Sequence, residues 1–422
     1  MLSAAALFAT WFGSETVFGA SSQFLQGGLY SVVEDPFGAS LCLFLLGLFF
    51  VRKLYAMKLL TLGDFFKVRY GRKTELVASI FLAPPYIGYI AAQLVAMGLV
   101  LHVVIGIVVW QGVVISAFVV TLYTYIGGMW AISITDFIQS IIIIVGMVVL
   151  AFVLANKAGG FTTVMNEVPV ENFKFLPRWE IKEVAGFIAA WCVLGLGSIP
   201  SQDVFQRAMS SSTAKISVWS CHIAGILYLT VAMLPLFISL CIKHLYPDSI
   251  SGDTQLTLPS MVMQHTSMPI QILFFGSLLS AIMSTTSSAI LAPAAICAEN
   301  IVKPLSRFKY SDKQLLLVTR ISVLIFSAIA TIMACMRSNI YELVSESSIL
   351  SLVSLFVPLT MGLYWKKASS AGALLSMVLG IITWFIFEIY ETDWPSLIPA
   401  TLASLVGMVL GSLSWPEKEK TT

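Results

Sequence analysis

The sequence predicts an all-α membrane protein: two inverted five-helix repeats plus two C-terminal helices, about twelve transmembrane helices in all. Three observations predict it: an extremely apolar composition, a series of long apolar runs, and two of those runs interrupted five spans apart. Of 422 residues, 58% are hydrophobic and only 11% charged, with a mean hydropathy of +0.90. An average soluble domain is about one quarter charged, so this chain lacks the polar residues to cover a water-facing surface. The net charge of +2 gives no reason to expect a nucleic-acid partner. No polar linker divides the chain, so residues 1–422 read as a single transmembrane domain.

A span needs roughly 20 mainly apolar residues. The candidates are 1–27, 37–56, 75–105, 108–127, 133–156, 181–206, 215–244, 268–301, 314–336, 341–365, 369–390 and 394–414. Barrel strands would alternate over roughly ten residues, and these runs do not. Lys and Arg favour the cytoplasmic side. With the amino terminus inside, that side collects seventeen of the 24 Lys and Arg, from Arg52 and Lys53 through Lys418 and Lys420. The other side collects six: Lys157, Lys174, Arg178, Lys182, Lys243 and Arg337. Both termini are therefore expected in the cytoplasm, in a plasma (inner) membrane. Met1 opens directly into an apolar run without a basic region, which argues against a cleaved signal peptide.

Two spans are poor hydrophobic helices. The first carries Ala9-Thr10-Trp11-Phe12-Gly13-Ser14-Glu15-Thr16, and the sixth Gly195-Leu196-Gly197-Ser198-Ile199-Pro200-Ser201-Gln202-Asp203. Pro removes a backbone donor and Gly weakens a helix. Unwound backbone at membrane depth survives only where it is buried or lines a cavity. Because five is odd, a repeat of five helices places its second copy upside down, an arrangement that points to secondary transporters with a midplane site. The repeats are expected at 1–156 and 181–365, with accessory helices over 369–414.

Further polar groups sit in the spans. Ser277, Ser280, Ser284, Ser287 and Ser288 form one stripe along the eighth. Such a stripe either glues helices together or offers hydroxyls to a hard cation such as sodium. Intramembrane carboxylates are usually functional. Glu15 and Asp203 adjoin the two breaks and are expected at the cavity. Asp136 stands at a span entrance, as a cap or on an ion path, and Glu346 near a span end. Scattered histidines (His102, His222, His244, His265) form no constellation for metal binding or acid–base chemistry. Six cysteines in apolar stretches without C-x-x-C spacing read as buried small hydrophobes. No enzyme is expected.

Four stretches together resemble the sodium:solute symporter family, whose members share the leucine-transporter fold. They are Ala9-Thr10-Trp11-Phe12-Gly13; Tyr123 to Ala131 with Thr135-Asp136 and Gln139; Ala281 with Met283-Ser284-Thr285; and Gly362 to Lys367 with Gly372-Ala373 and Gly380. The resemblance runs from Ala9 to about Gly380. It implies sodium as the coupling ion, held by the backbone carbonyls of Ala9, Phe12 and Ala281 and the hydroxyls of Ser284 and Thr285. It also implies one helix ahead of the first core helix, which is missing from this sequence.

Ala9-Thr10-Trp11, Ile199-Pro200, Phe205-Gln206-Arg207 and Ser210-Ser211-Ser212 most resemble the high-affinity choline transporter-like branch, although Ser201 stands where that branch has Trp. The expected activity is sodium-coupled import of a small organic solute by alternating access, with choline or another quaternary ammonium as the first candidate. An aromatic cage beside a carboxylate suits such a cation; Trp11, Tyr86 and Tyr89 supply walls, and Glu15, Ser201, Gln202 and Asp203 the polar lining. Proline, a short carboxylate, a sugar or pantothenate is the alternative cargo. A membrane sensor is the alternative of another class. The expected partners are the small-molecule substrate, the sodium ion and the lipid bilayer. The oligomeric state is not readable.

Overall fold

The computed structural model describes residues 2–247, 253–306, 310–390, 392 and 394–417, the side chains of Leu2, 127–136 and Glu167 excepted. All regular structure among the described residues is helical, as lipid requires of a chain that must satisfy its own backbone. The first half holds α1 (Leu2–Trp11), α2 (Ala20–Gly27), α3 (Ala39–Leu45), α4 (Val51–Ala56), α5 (Leu62–Tyr70), α6 (Arg72–Leu82), α7 (Pro85–Ile105), α8 (Val109–Lys157) and α9 (Phe161–Glu167). Then follow α10 (Ile181–Gly197), α11 (Gln202–Met209), α12 (Ala214–Leu245), α13 (Thr257–His265), α14 (Met268–Ile296), α15 (Lys303–Leu305), α16 (Asp312–Met336), α17 (Ile340–Ser351) and α18 (Val357–Tyr364). The chain closes with α19 (Ser370–Ile389) and α20 (Leu397–Ser414).

Ten of the described helical segments are long and apolar enough to cross a membrane, or eleven if the bent pair α10–α11 counts as one span. The protein is thus an integral, multi-pass membrane protein. The difference from twelve lies in the bent sixth span, α10–α11, and in the first two expected spans, which run together. Residues Glu15–Ala56 run as one 42-residue helical stretch, at 1.5 Å per residue about twice the thickness of a bilayer core. It is broken into two arms at Gly28, with φ +69°, and at Asp35, whose backbone is extended (φ −135°, ψ 119°). A Cβ at Gly28 would lie 2.7 Å from the Asn172 carbonyl oxygen, so the turn needs glycine twice over. The two expected spans 108–127 and 133–156 are found as Val109–Ile126 and Phe137–Lys157, two spans within the continuous helix α8. Its first part packs on α7 and its last on α14: a Cβ on Gly112 would lie 2.9 Å from Gly98 Cα, and one on Gly146 2.5 Å from Ser277 Oγ. Close approach of backbones through small residues is how apolar helices gain contact where lipid gives no hydrophobic drive.

The Lys- and Arg-rich connection after α4 is not a loop. Thr61 and Asp64 form a reciprocal cap that starts α5, and Gly71 at φ +93° ends it. Arg69 on this helix donates to the carbonyls of Gly362 (3.0 Å), Trp365 (3.2 Å), Lys366 (3.1 Å) and Ala368 (2.8 Å). One guanidinium therefore satisfies the frayed end of α18, whose last carbonyls have no helical partner.

Gly380 on α19 tests this packing. A Cβ there would lie 1.9 Å from the Val353 carbonyl, whereas a Cβ on Gly276 of α14 meets nothing within 4 Å. Gly380→Ala is expected to cost about 1–3 kcal/mol and Gly276→Ala to be neutral or slightly stabilising. Thermal unfolding of the detergent-solubilised variants, followed by tryptophan fluorescence, checks the contrast.

Candidate functional site

α1 makes its last regular backbone bond from Phe12 N to Phe8 O, 2.8 Å, and helix resumes at Glu15 in a π-helical turn. The Ser14 N–H, left over by the break, donates to Gln93 Oε1 at 3.0 Å. The second interruption lies at Ser198–Ser201, where α10 and α11 meet at a 52° bend. Both are where Gly and Pro in the sequence weaken the helix.

One face of α7 serves both breaks. Tyr89 Oη donates to Glu15 Oε1 at 3.1 Å, and Gln93 Nε2 donates to Glu15 Oε2 at 2.8 Å. Tyr86 Oη donates to Asp203 Oδ1 at 2.6 Å and accepts from the Asp203 N–H at 3.1 Å. Residues 86, 89 and 93 recur three and four apart and so share a side of the helix. Glu15 and Asp203 are buried, each capped by neutral donors on α7.

Between the breaks lies a small cavity of about 50 Å³, part of it open to the outside. Trp11, Glu15, Tyr86, Tyr89, Ser201 and Asp203 line it. Gln202, grouped with them in the sequence reading, faces elsewhere: its Oε1 accepts the Leu62 N–H at the start of α5, 2.7 Å. Adjacent residues on a helix point about 100° apart, so Asp203 and Gln202 serve different neighbours. Tyr228 of α12 and Ser347, Ser348 and Ser351 of α17 also form the wall and were not anticipated. Tyr228 stands edge-on to Trp11, ring centroids 6.1 Å apart. A lone tyrosine in the apolar run of α12 was the available signal. The combination of aromatic faces and two carboxylates suits a cation with an apolar surface.

A second cluster lies where α1 meets α14. Ala9, Phe12, Ala281, Ser284 and Thr285 are all buried, and Thr285 Oγ1 donates to the Ala9 carbonyl at 3.1 Å. The hydroxyl stripe divides. Ser277, Thr286 and Ser287 bond back to carbonyls of their own helix (Phe274, Ile282 and Ser284), the packing behaviour common in membranes. Thr285 reaches α1, and Ser288 accepts from Arg207 Nη2 at 2.7 Å. Arg207, buried on α11, also donates from Nε to Thr10 Oγ1 at 3.3 Å. It thereby ties α11 to α1 and α14, a role sequence reading missed. The side chain of Asp136 lies outside the described residues. Glu346 is paired with Arg337 through two bonds of 2.5 and 2.7 Å across the turn into α17, away from the cavity.

Residues 1–380 match the model of the sodium:solute symporter family. The chain belongs to the sodium:solute symporter family. Relatives include the high affinity choline transporter 1 of Homo sapiens, 31% identical over 396 residues that make up 88% of this chain and 66% of that protein. The high-affinity choline transporter 1 of Torpedo marmorata is 29% identical over 89% of this chain and 66% of its own length. The osmoregulated proline transporter OpuE of Bacillus subtilis (strain 168) is 26% identical over 84% of this chain and 74% of its own. The chain spans just under two thirds of the length of these choline transporters. Among solved structures, a Na+-coupled sialic acid symporter in a substrate-bound outward-open state superposes with a TM-score of 0.87 at 18% identity, covering 100% of this chain and 91% of that one. MhsT in complex with L-phenylalanine follows at 0.62 and 13%, with 98% of both chains covered. The likeness in fold thus extends along the whole chain.

Gln93→Leu strands both Glu15 Oε2 and the Ser14 N–H and is expected to destabilise by about 1–3 kcal/mol. Ser287→Ala, which loses only a bond within its own helix, is expected to cost less. Midpoints of thermal unfolding compare the two directly.

Proposed function

We propose that the protein is a sodium-coupled symporter that imports a small organic cation by alternating access, with a quaternary ammonium such as choline as the first candidate. The observation that carries this reading is the convergence of Trp11, Tyr86, Tyr89 and Tyr228 with the carboxylates of Glu15 and Asp203 between two broken helices. A cation against desolvated aromatic faces gains about 2 kcal/mol, and a nearby carboxylate adds charge complementarity. The similarity to choline transporters agrees with this chemistry.

Sodium is assigned to the pocket of Ala9, Phe12, Ala281, Ser284 and Thr285, whose carbonyls and hydroxyls are the hard oxygen donors such an ion takes. The meeting of Thr285 with the Ala9 carbonyl supports it, since those oxygens already face one another. An ion there joins α1 to α14. It drives transport only so far as it binds one access state better than the other. The reading takes 1–156 and 181–365 as the inverted repeats, 369–414 as accessory helices, and both termini of this chain as cytoplasmic in a plasma (inner) membrane. Asp136 belongs to an ion path or to the frame around it. Proline is the second reading, on the strength of the proline-transporter relatives.

In proteoliposomes, uptake of radiolabelled substrate is expected to require an inward sodium gradient; uptake indifferent to sodium sinks the coupling. Ser284→Ala combined with Thr285→Ala is expected to lower apparent sodium affinity about 10–100-fold, and an unchanged sodium dependence would return the stripe to packing. A thermal-shift screen over choline, betaine, proline, short carboxylates, sugars and pantothenate reads the cargo. Stabilisation by quaternary ammoniums, weakened about tenfold in affinity by Trp11→Leu, is the expected result. Stabilisation by proline alone rejects the cage.

A further inference from the structure

We infer that Asp35 is the anchoring ligand of a second sodium ion, bound behind Tyr228 and apart from the α1–α14 pocket. Asp35 is fully buried, at 0% exposure. Its Oδ1 accepts from Tyr228 Oη at 2.7 Å, and its Oδ2 has no hydrogen-bond partner. No ion pair reaches Asp35, the neighbouring Glu34 or Glu15 among the described residues. Among the described residues, the side-chain donors to Glu34 and Glu15 are the Ser345 hydroxyl for the first and Tyr89 and Gln93 for the second. A buried carboxylate without a counter-charge costs several kcal/mol, a cost that a cation beside it would offset.

The surrounding oxygens fit a hard monovalent cation. Tyr228 has one hydroxyl proton, and it goes to Asp35. The 2.6 Å contact between Tyr228 Oη and Thr16 Oγ1 is then donated by Thr16. That spends every proton of the chain on a neighbour and leaves lone pairs on Thr16 and on Asp35 Oδ2. The backbone on both sides also departs from α-helical bonding, in a π-helical turn at Glu15–Gly19 and in the extended residue Asp35 itself. Turns of the first kind concentrate at functional sites. Charge points the same way. Glu15, Asp35 and Asp203 set three buried carboxylates around the breaks against the guanidinium of Arg207. Because Tyr228 both walls the cavity and holds Asp35, an ion on Asp35 also fixes one face of the substrate site.

This goes beyond the sodium coupling proposed above, and direct binding separates the two. The experiment is equilibrium binding of radioactive sodium to the full chain in nanodiscs, without substrate. Wild-type protein is expected to bind two ions. Asp35→Asn is expected to lose one, and Ser284→Ala with Thr285→Ala the other. Thr16→Val and Tyr228→Phe keep the carboxylate and are expected to weaken the Asp35-dependent component about 10–100-fold. They carry the test if Asp35→Asn fails to fold. A single ion, lost only in the Ser284/Thr285 variant, overturns the Asp35 site and leaves the coupling standing. Undiminished binding in Asp35→Asn and Thr16→Val also overturns it. Absence of any bound sodium removes both readings.

Discussion

A carboxylate at a helix break inside a membrane must be supplied with donors by the protein, because lipid supplies none. This chain has that problem twice, at Glu15 and at Asp203, and α7 answers both with Tyr86, Tyr89 and Gln93. The hydroxyls and the amide are neutral, so they hold the carboxylates in place without cancelling their charge. The cavity between the breaks keeps its negative character as a result. The aromatic rings that deliver those hydroxyls are also its walls, so polar anchoring and apolar lining come from the same side chains.

The architecture was legible because membrane helices obey few rules. Composition, run length and the position of Gly and Pro led to the helices and to both interruptions near their observed places. What failed was arithmetic at one junction. The first two spans joined through residues 28–36 without a free loop, whereas the two spans either side of residues 128–132 stand as expected although α8 runs on between them. The short helices α5, α9 and α13 were passed over because seven to nine residues carry too little periodicity. For α5 the usable signal was the capping pair Thr61 and Asp64 followed by Gly71.

Site residues were legible where chemistry was confined to a break, and illegible where it arose from contact across the fold. Glu15, Trp11 and Asp203 stood out beside weakened helix. Tyr228 and Gln93 did not, since each is one polar residue in an apolar run until a distant carboxylate meets it. Asp35 escaped because it falls between spans in a hydropathy reading, yet the chain there is fully enclosed. The hydroxyl stripe shows the complementary limit. Its spacing placed the serines on one side of α14 but could not say which bond back to their own helix and which reach α1 or Arg207.

The three-and-four spacing on α7 has a consequence for how the two halves of the molecule communicate. At 3.6 residues per turn, positions 86, 89 and 93 lie within a narrow sector of one rigid rod. A small rotation or slide of that rod loosens its hold on both breaks together. A ligand that steadies α7 at one end lowers the cost of ordering it at the other. Such linkage is reciprocal: any gain in affinity that one occupant confers on the second is returned in equal measure. Cooperation between the sites then needs no relay of moving parts, only a helix too stiff to serve them separately.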